Sequence, residues 1–453
     1  MRAMGAGAER SEAAIMRFVP AARGRMLAVV MAVAALAGCG GGSSSTPITI
    51  TPTPTPVANS VSVAVDAGPA NSAINSAYVT VKVCNTGGTT NCATIPDVQV
   101  DTGSSGLRIL ASAPGVSTLT LKPVSANGTP VYECLEYASG NYLWGPVEQA
   151  GVAMAGESAP NVPIQIITSG DAPSSVNCAS SGGSNLDTST ALEANGILGI
   201  GPAQQDCGLL CTASPVAPYY WLCSSSTSCS SPAAVPTATQ VSNPVIFFGS
   251  DNNGVTLTMN ALGTSGGAAS GSGTLYCGVG TQTDNAVAGS AKAYGLSANV
   301  FGGHEYISAQ AVYNNVTYPA YVNSAENILF VLDAATLAAA PAGAGITGCP
   351  TTIFYCPSSP VNLPINFEDA SGDAAQINLS IGNGTDLYNS SVAVAGGANA
   401  AFNNLAGGAA LTTDEVILGM PFFYGRTVYI GIAGEVPPSG VPGSFADFGY
   451  WAF

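Results

Sequence analysis

Short apolar runs alternate along this chain with turns built from Gly, Asn and Pro. The pattern predicts strands: Val98-Gln99-Val100 runs into Asp101-Thr102-Gly103, and the chain leaves again through Leu107-Arg108-Ile109-Leu110. Two more apolar runs, Asn195–Gly201 and Glu415–Pro421, share the spacing hydrophobic-hydrophobic-Gly. No stretch carries the 3.6-residue period of a long amphipathic helix, so the expected class is all-β. One run differs in kind. Met26–Leu36 is apolar without alternation, follows Arg17, Arg23 and Arg25, and is too short to span a bilayer. It reads as the core of a secretory signal peptide over residues 1–38, with Met16 a possible true start.

Composition then divides what remains. The signal ends in Leu36-Ala37-Gly38-Cys39, which resembles a bacterial lipobox. That resemblance implies acylation of Cys39, a mature chain hung from a membrane rather than crossing it, and, from Gly40, the outer membrane of the cell envelope. Residues 39–60 are rich in Gly, Ser, Thr and Pro and form a semi-extended tether. The rest suffices for two packed lobes, expected at 61–250 and 251–453. Ten Lys and Arg face 26 Asp and Glu, and five of the ten cations (Arg2, Arg10, Arg17, Arg23, Arg25) precede residue 39. So few cations cannot track a phosphate backbone, which excludes nucleic acid as a partner.

Twelve cysteines in an exported chain read as disulfides. Cys84 with Cys92 and Cys349 with Cys356 are spaced to staple short loops. Cys207, Cys211, Cys223 and Cys229 are expected to pair among themselves. Zinc is the other use of four clustered Cys, disfavoured by an oxidising compartment and by the lack of nearby His. With Cys39 lipidated, eleven remain, so one thiol is left over.

The candidate chemistry starts at Asp101. A strand ending in Asp-Thr-Gly-Ser is the loop that aspartic catalysis uses, but that mechanism needs two carboxyls side by side. Ile197 lies 96 positions after Asp101. Counting back a similar distance from Ile417 reaches Tyr321-Val322-Asn323-Ser324-Ala325, where Val322 matches Val100, Ser324 matches Thr102 and Leu329 matches Leu107. The interval from Asn323 to Ile417 is 94. The chain thus reads as a duplicated half whose second acid is replaced by Asn323, with Ala325 in place of Gly103. Asp333 is the rival for the second acid, but it lacks a following Gly and its interval is 84, so it reads as a turn or helix-start residue.

These residues resemble the pepsin-like aspartic peptidases. The runs V-D-T-G-S-S-G-L-R, N-G-I-L-G-I-G, D-C-G at 206–208, D-N-N-G at 251–254, G-V-G-T-Q at 278–282, F-Y-C-P at 354–357 and P-F-F-Y-G-R at 421–426 further resemble an uncharacterised family of bacterial lipoproteins. The resemblance implies a bilobal acid-protease fold with Asp101 and Asn323 facing each other at the cleft floor. It implies Thr102 and Ser324 bonded across the interface, with Gly103, Ser104 and Ala325 completing the loops. Tyr137-Ala138-Ser139-Gly140 falls where such proteins place a flap, so Tyr137 and Gly140 are expected at its tip.

An amide opposite Asp101 implies impaired catalysis, hence a scaffold that binds extended peptide or protein without cleaving it, with no metal and no cofactor. The alternatives are a weak aspartic peptidase using Asp101 with another carboxylate, and a structural envelope protein without ligand. Other chemistries are poorly supported. Gly263–Gly267 fits G-x-S-x-G without its strand-to-helix context, a Ser-His-Asp site would need His304, the chain's one His, and Asp251–Gly254 lacks the later Glu of a calcium loop and reads as a hairpin turn.

Overall fold

The strand Ala77–Cys84 shows how the alternation works: Val79, Val81 and Val83 are buried while Thr80 and Lys82 face solvent. Val361–Glu368 repeats the device with Leu363, Ile365 and Phe367 inward. Ser105–Leu110 and Gly196–Ile200 are buried at every position, because both their faces are covered, and their sequences are correspondingly continuous rather than alternating. The computed structural model describes residues 17–18 and 58–453, apart from 138, 177, 179–181, 216–218, 264–265, 302–303, 370 and 409–414, with backbone alone at 17–18, 231, 299–301 and 304–306. Cys39 and nearly all of the signal and tether lie outside the described residues. The described chain is all-β, with a few short helical turns.

Two strand units repeat one topology. In the first, Cys92–Asp101 and Ser105–Leu110 flank Gly196–Ile200, which runs parallel to the one and antiparallel to the other, setting Leu198 opposite both Val100 and Leu107. Glu157–Ile167 adds in parallel beyond Ser105–Leu110. In the second, Val416–Leu418 lies parallel to Val316–Val322, setting Leu418 opposite Val322, and antiparallel to Leu329–Val331. Ala406–Gly408 adds in parallel beyond Leu329–Val331. The registers coincide: Leu198 on Val100 corresponds to Leu418 on Val322. One buried cluster runs through both units and includes Val100, Leu107, Leu198, Val322, Leu329 and Leu418.

A shared ladder ties the units together. Ser60–Val65 pairs with Gly271–Cys277, which pairs with Gly254–Met259, then Thr427–Gly431, then Tyr450–Ala452, then Ala293–Gly295. Asn75 adds a buried polar clasp, donating to the carbonyls of Asn327 (2.8 Å) and Phe402 (3.0 Å) and accepting from the Phe402 N–H (2.7 Å) and Tyr424 hydroxyl (3.0 Å). Local turn chemistry agrees with this topology. Asn314 and Asn315 both take left-handed φ (50° and 63°), as a two-residue hairpin requires, and join His304–Tyr313 to Val316–Val322.

Five disulfides close the described structure. Cys84–Cys92 and Cys349–Cys356 form as the spacing suggests, and the clustered four resolve into Cys207–Cys211 and Cys223–Cys229. Cys134–Cys178 joins two cysteines that spacing left unassigned, and Cys277 is a buried free thiol. Asp251–Gly254 is not a hairpin turn. It follows the short helix Pro244–Phe247, Asp251 has a left-handed φ of 51°, and Asn253 is tied on both sides to Val279.

Candidate functional site

The Asp101 loop forms where the strand Cys92–Asp101 runs out and the chain must reverse into Ser105–Leu110. The Asp101 carboxylate organises that reversal. Its Oδ1 accepts from the N–H groups of Gly103 (2.8 Å) and Ser104 (3.1 Å), and its Oδ2 accepts from the Ser104 hydroxyl. At the equivalent place in the second unit, Asn323 Oδ1 accepts from the Ala325 N–H at 3.0 Å. Both loops are anchored beneath by the strand that threads each unit: Gly201 N–H donates to Ser104 O and Met420 N–H donates to Glu326 O, both at 2.7 Å.

The two loops meet. Thr102 N–H donates to Ser324 Oγ (3.2 Å), and Ser324 N–H donates to Thr102 Oγ1 (2.9 Å). The hydroxyls then reach into the opposite strand, Thr102 Oγ1 donating to Val322 O (3.1 Å) and Ser324 Oγ to Val100 O (2.6 Å). Thr102 and Ser324 are fully buried. The reciprocity is the second consequence of duplication, after the shared register.

Asn323 packs directly on Gly103. A Cβ built on Gly103 would lie 2.5 Å from Asn323 Cγ and 2.7 Å from both its Nδ2 and Oδ1. Close approach, rather than backbone conformation, is therefore what requires glycine at 103. Neither Gly103 nor Ala325 has a positive φ, so the Ala325 methyl imposes no left-handed strain on its turn. Asn323 is 1% exposed, and its Nδ2 is a buried donor with no hydrogen-bond partner among the described residues. A donor held that way is costly unless something else meets it.

Burial raises the Asp101 carboxyl above its usual range, while the Ser104 hydroxyl, the Gly103 N–H and the nearby Arg108 charge pull it partly back. What the pair can do chemically follows from its atoms. An ionised and a protonated carboxyl can trade a proton with a bound water; an amide can donate a hydrogen bond but cannot give up and recover a proton.

Tyr137 and Gly140 stand at the turn of a hairpin whose arms are Thr129–Glu136 and Tyr142–Met154. Tyr137 N–H donates to Asn141 O and Gly140 N–H to Tyr137 O, each at 2.8 Å, while Ala138 lies outside the described residues. The Tyr137 ring packs on the main core, and its hydroxyl is pushed up by burial first, with the Arg108 charge opposing and Asp101 adding to the shift. Asp333 does not join the site. It caps the helix Ala334–Ala338, accepting from the Ala335 and Thr336 N–H groups (2.8 and 3.1 Å), and the Thr336 hydroxyl and these N–H groups hold its carboxyl below the usual range. Ser265 of the G-x-S-x-G run lies outside the described residues, and only the backbone of His304 is described.

One buried cluster beside the site escaped the motif search. Arg108 Nη2 meets Glu133 Oε1 at 2.6 Å and Asp206 Oδ2 at 3.1 Å, with all three side chains buried. The available signal was a charge at position 108, inside an otherwise apolar buried strand, since a buried Arg needs partners.

With this geometry in hand, the chain can be placed: it belongs to the family described as "Protein of unknown function (DUF3443)", whose model matches residues 55–450. No curated protein matches it. Among solved structures it is similar to the aspartic proteinase from Irpex lacteus, at 13% identity over 87% of this chain and 96% of that chain, with a TM-score of 0.48.

Proposed function

We propose that this protein is a lipid-anchored component of the bacterial cell envelope, held at the outer membrane through Cys39, that grips an extended peptide or protein segment between its two units without cleaving it. The observation that carries the reading is Asn323: a buried amide with an unpartnered Nδ2 donor, packed on the Asp101 loop. A peptide carbonyl arriving there satisfies that donor, and Asp101 offers a carboxyl to the same backbone. Hydrolysis needs a second group that exchanges protons, and loss of one acid–base participant costs about 10²–10⁴ in rate. Backbone pairing with a strand edge is the general way extended segments are held, and it is the mode expected here.

The test incubates the purified protein with an unfolded protein between pH 3 and 7, following binding and fragmentation together. Binding without fragmentation, and fragmentation gained in Asn323→Asp, are the expected results. Fragmentation by the natural chain that disappears in Asp101→Ala overturns the reading. Absence of any binding leaves a structural envelope protein as the better account.

A second reading, a weak aspartic peptidase pairing Asp101 with another carboxylate, is favoured by one feature. Glu326 occupies the position that Ser104 holds in the first loop, is 3% exposed, and follows Asn323 by three residues. Where the first unit places a hydroxyl next to its acid, the second carries a carboxyl. Any natural fragmentation that is lost in Glu326→Gln as well as in Asp101→Ala selects this reading.

A further inference from the structure

The carboxyl pair sought at 101 and 323 exists elsewhere in the molecule. Glu133 and Asp206 both bind Arg108 Nη2, at 2.6 and 3.1 Å, and Arg108 Nε reaches the other Glu133 oxygen at 3.3 Å. The two carboxyls thus converge on a single nitrogen, Arg108 Nη2. Two ionised carboxyls drawn onto one donor repel each other, and a proton on either one relieves that repulsion. One guanidinium offsets one negative charge; a second, buried at 1% exposure or less, would be left uncompensated.

Other groups facing the pair close it off. Tyr220 donates its hydroxyl to Asp206 Oδ1 (2.6 Å) and accepts from the Val241 N–H (2.9 Å). Arg108 Nη1 donates to Ser105 O at 3.0 Å, and Gln165 Nε2 donates to Glu133 O at 3.0 Å. Tyr137 and Tyr219 lie within electrostatic reach of the cluster, and Asp101 within reach of Arg108 and Tyr137. Among the described residues facing the pair, the one cation is Arg108.

We propose that Glu133 and Asp206 share a single proton on the Arg108 guanidinium, and that this proton fastens the Tyr137 hairpin and the disulfide-stapled 207–229 insertion to the strand that follows Asp101. The placement of the three groups gives the device its reach. Glu133 stands in the hairpin arm, four residues before Tyr137. Asp206 immediately precedes the Cys207–Cys211 staple. Tyr220, opposite Glu133 in the ladder, belongs to the strand bearing Cys223. Arg108 holds both to Ser105–Leu110. When the proton leaves to solvent, the cluster carries one net negative charge with no partner, and these attachments loosen together. Asp206 is held well above the usual carboxyl range by burial first and Glu133 second, the direction this sharing requires. The inference stands whether or not the cleft binds peptide.

The sign follows from proton counting. The native state keeps a proton that the unfolded chain has lost above about pH 4, so stability falls as pH rises, up to the pH at which the native pair ionises. The experiment compares Asp206→Asn with the natural chain in denaturant unfolding at a series of pH values from 5 to 8. The Asn side chain keeps an oxygen to accept from the Tyr220 hydroxyl but does not titrate. Over the window in which the pair stays protonated, the natural chain's unfolding constant is expected to rise tenfold per pH unit more than the variant's, a slope of one proton. Asp101 and Glu148, the latter pushed up to about 7 by burial, contribute equally to both proteins and cancel. Amide exchange over 134–143 should accelerate with pH beyond its intrinsic rate in the natural chain and not in the variant. Equal slopes overturn the proposal. If Asp206→Asn fails to fold, Asp101→Asn protein with isotope-labelled aspartate decides: a protonated aspartyl carbonyl band in the infrared at pH 6 supports the shared proton, and its absence removes it.

Discussion

Ser324→Ala tests the crossed hydrogen bonds that join the two units. The hydroxyl of Ser324 accepts from Thr102 N–H and donates to Val100 O, and both partners are buried backbone groups. Deleting it orphans one donor and one acceptor where no water competes. A buried polar group left unmade costs about 1–3 kcal/mol, so the loss should be roughly 2–6 kcal/mol. At a urea m-value of about 3 kcal/mol/M, the midpoint falls by roughly 0.7–2 M with an unchanged slope. Thr102→Ser is the control: it keeps the hydroxyl that serves Val322 O and Ser324 N–H, removes one methyl, and should cost about 1 kcal/mol. Thr102→Val, which removes that hydroxyl at nearly constant volume, should resemble Ser324→Ala rather than Thr102→Ser. A Ser324→Ala midpoint within about 0.2 M of the natural protein, at equal slope, refutes the reasoning, because it means that these bonds are not formed or that water replaces them freely.

Further outcomes follow from single sites. Gly103→Ala places a methyl 2.5 Å from Asn323 Cγ and should destabilise by about 1–3 kcal/mol; adding Asn323→Ala, which removes the three nearest atoms, should recover part of that loss in the same unfolding assay. Asp333→Ala removes a helix cap and should cost about 1 kcal/mol in stability with no change in peptide binding measured by titration. Replacing Cys134 and Cys178 by Ser opens a link between residues 44 apart and should lower stability by roughly 2–4 kcal/mol. Cys277, whose thiol is pushed up by burial, should resist alkylation in the native protein and react once denatured; rapid labelling of native protein would contradict its burial.

The duplicated half was legible because its signals are local and periodic. A strand ending in Asp-Thr-Gly-Ser, a matching Val-Asn-Ser-Ala, and two hydrophobic-hydrophobic-Gly runs at nearly equal intervals locate both loops, and the structure brings Asp101–Ser104 and Asn323–Ala325 together. The role of Asp333 was legible too, since a carboxylate before a short Ala-rich run is a helix start. What spacing could not give was packing. The requirement for glycine at 103 comes from Asn323, which is 220 residues away in sequence. The Cys134–Cys178 link and the Arg108–Glu133–Asp206 cluster join elements whose separation carries no period. For Arg108 the sequence held a signal that went unread: a cation within a strand whose neighbours Leu107, Ile109 and Leu110 are apolar.

The ladder that begins at Ser60–Val65 and ends at Ala293–Gly295 bears on how the molecule must be made. Its penultimate strand, Tyr450–Ala452, comes from the second half, and Gly271–Cys277 leans on Ser60–Val65 from the first. During synthesis that edge of Ser60–Val65 therefore waits until the ribosome has delivered Gly271–Cys277. A polypeptide arranged in this way cannot complete itself halfway, and a substitution that breaks the shared ladder should leave both halves, rather than one, unfinished.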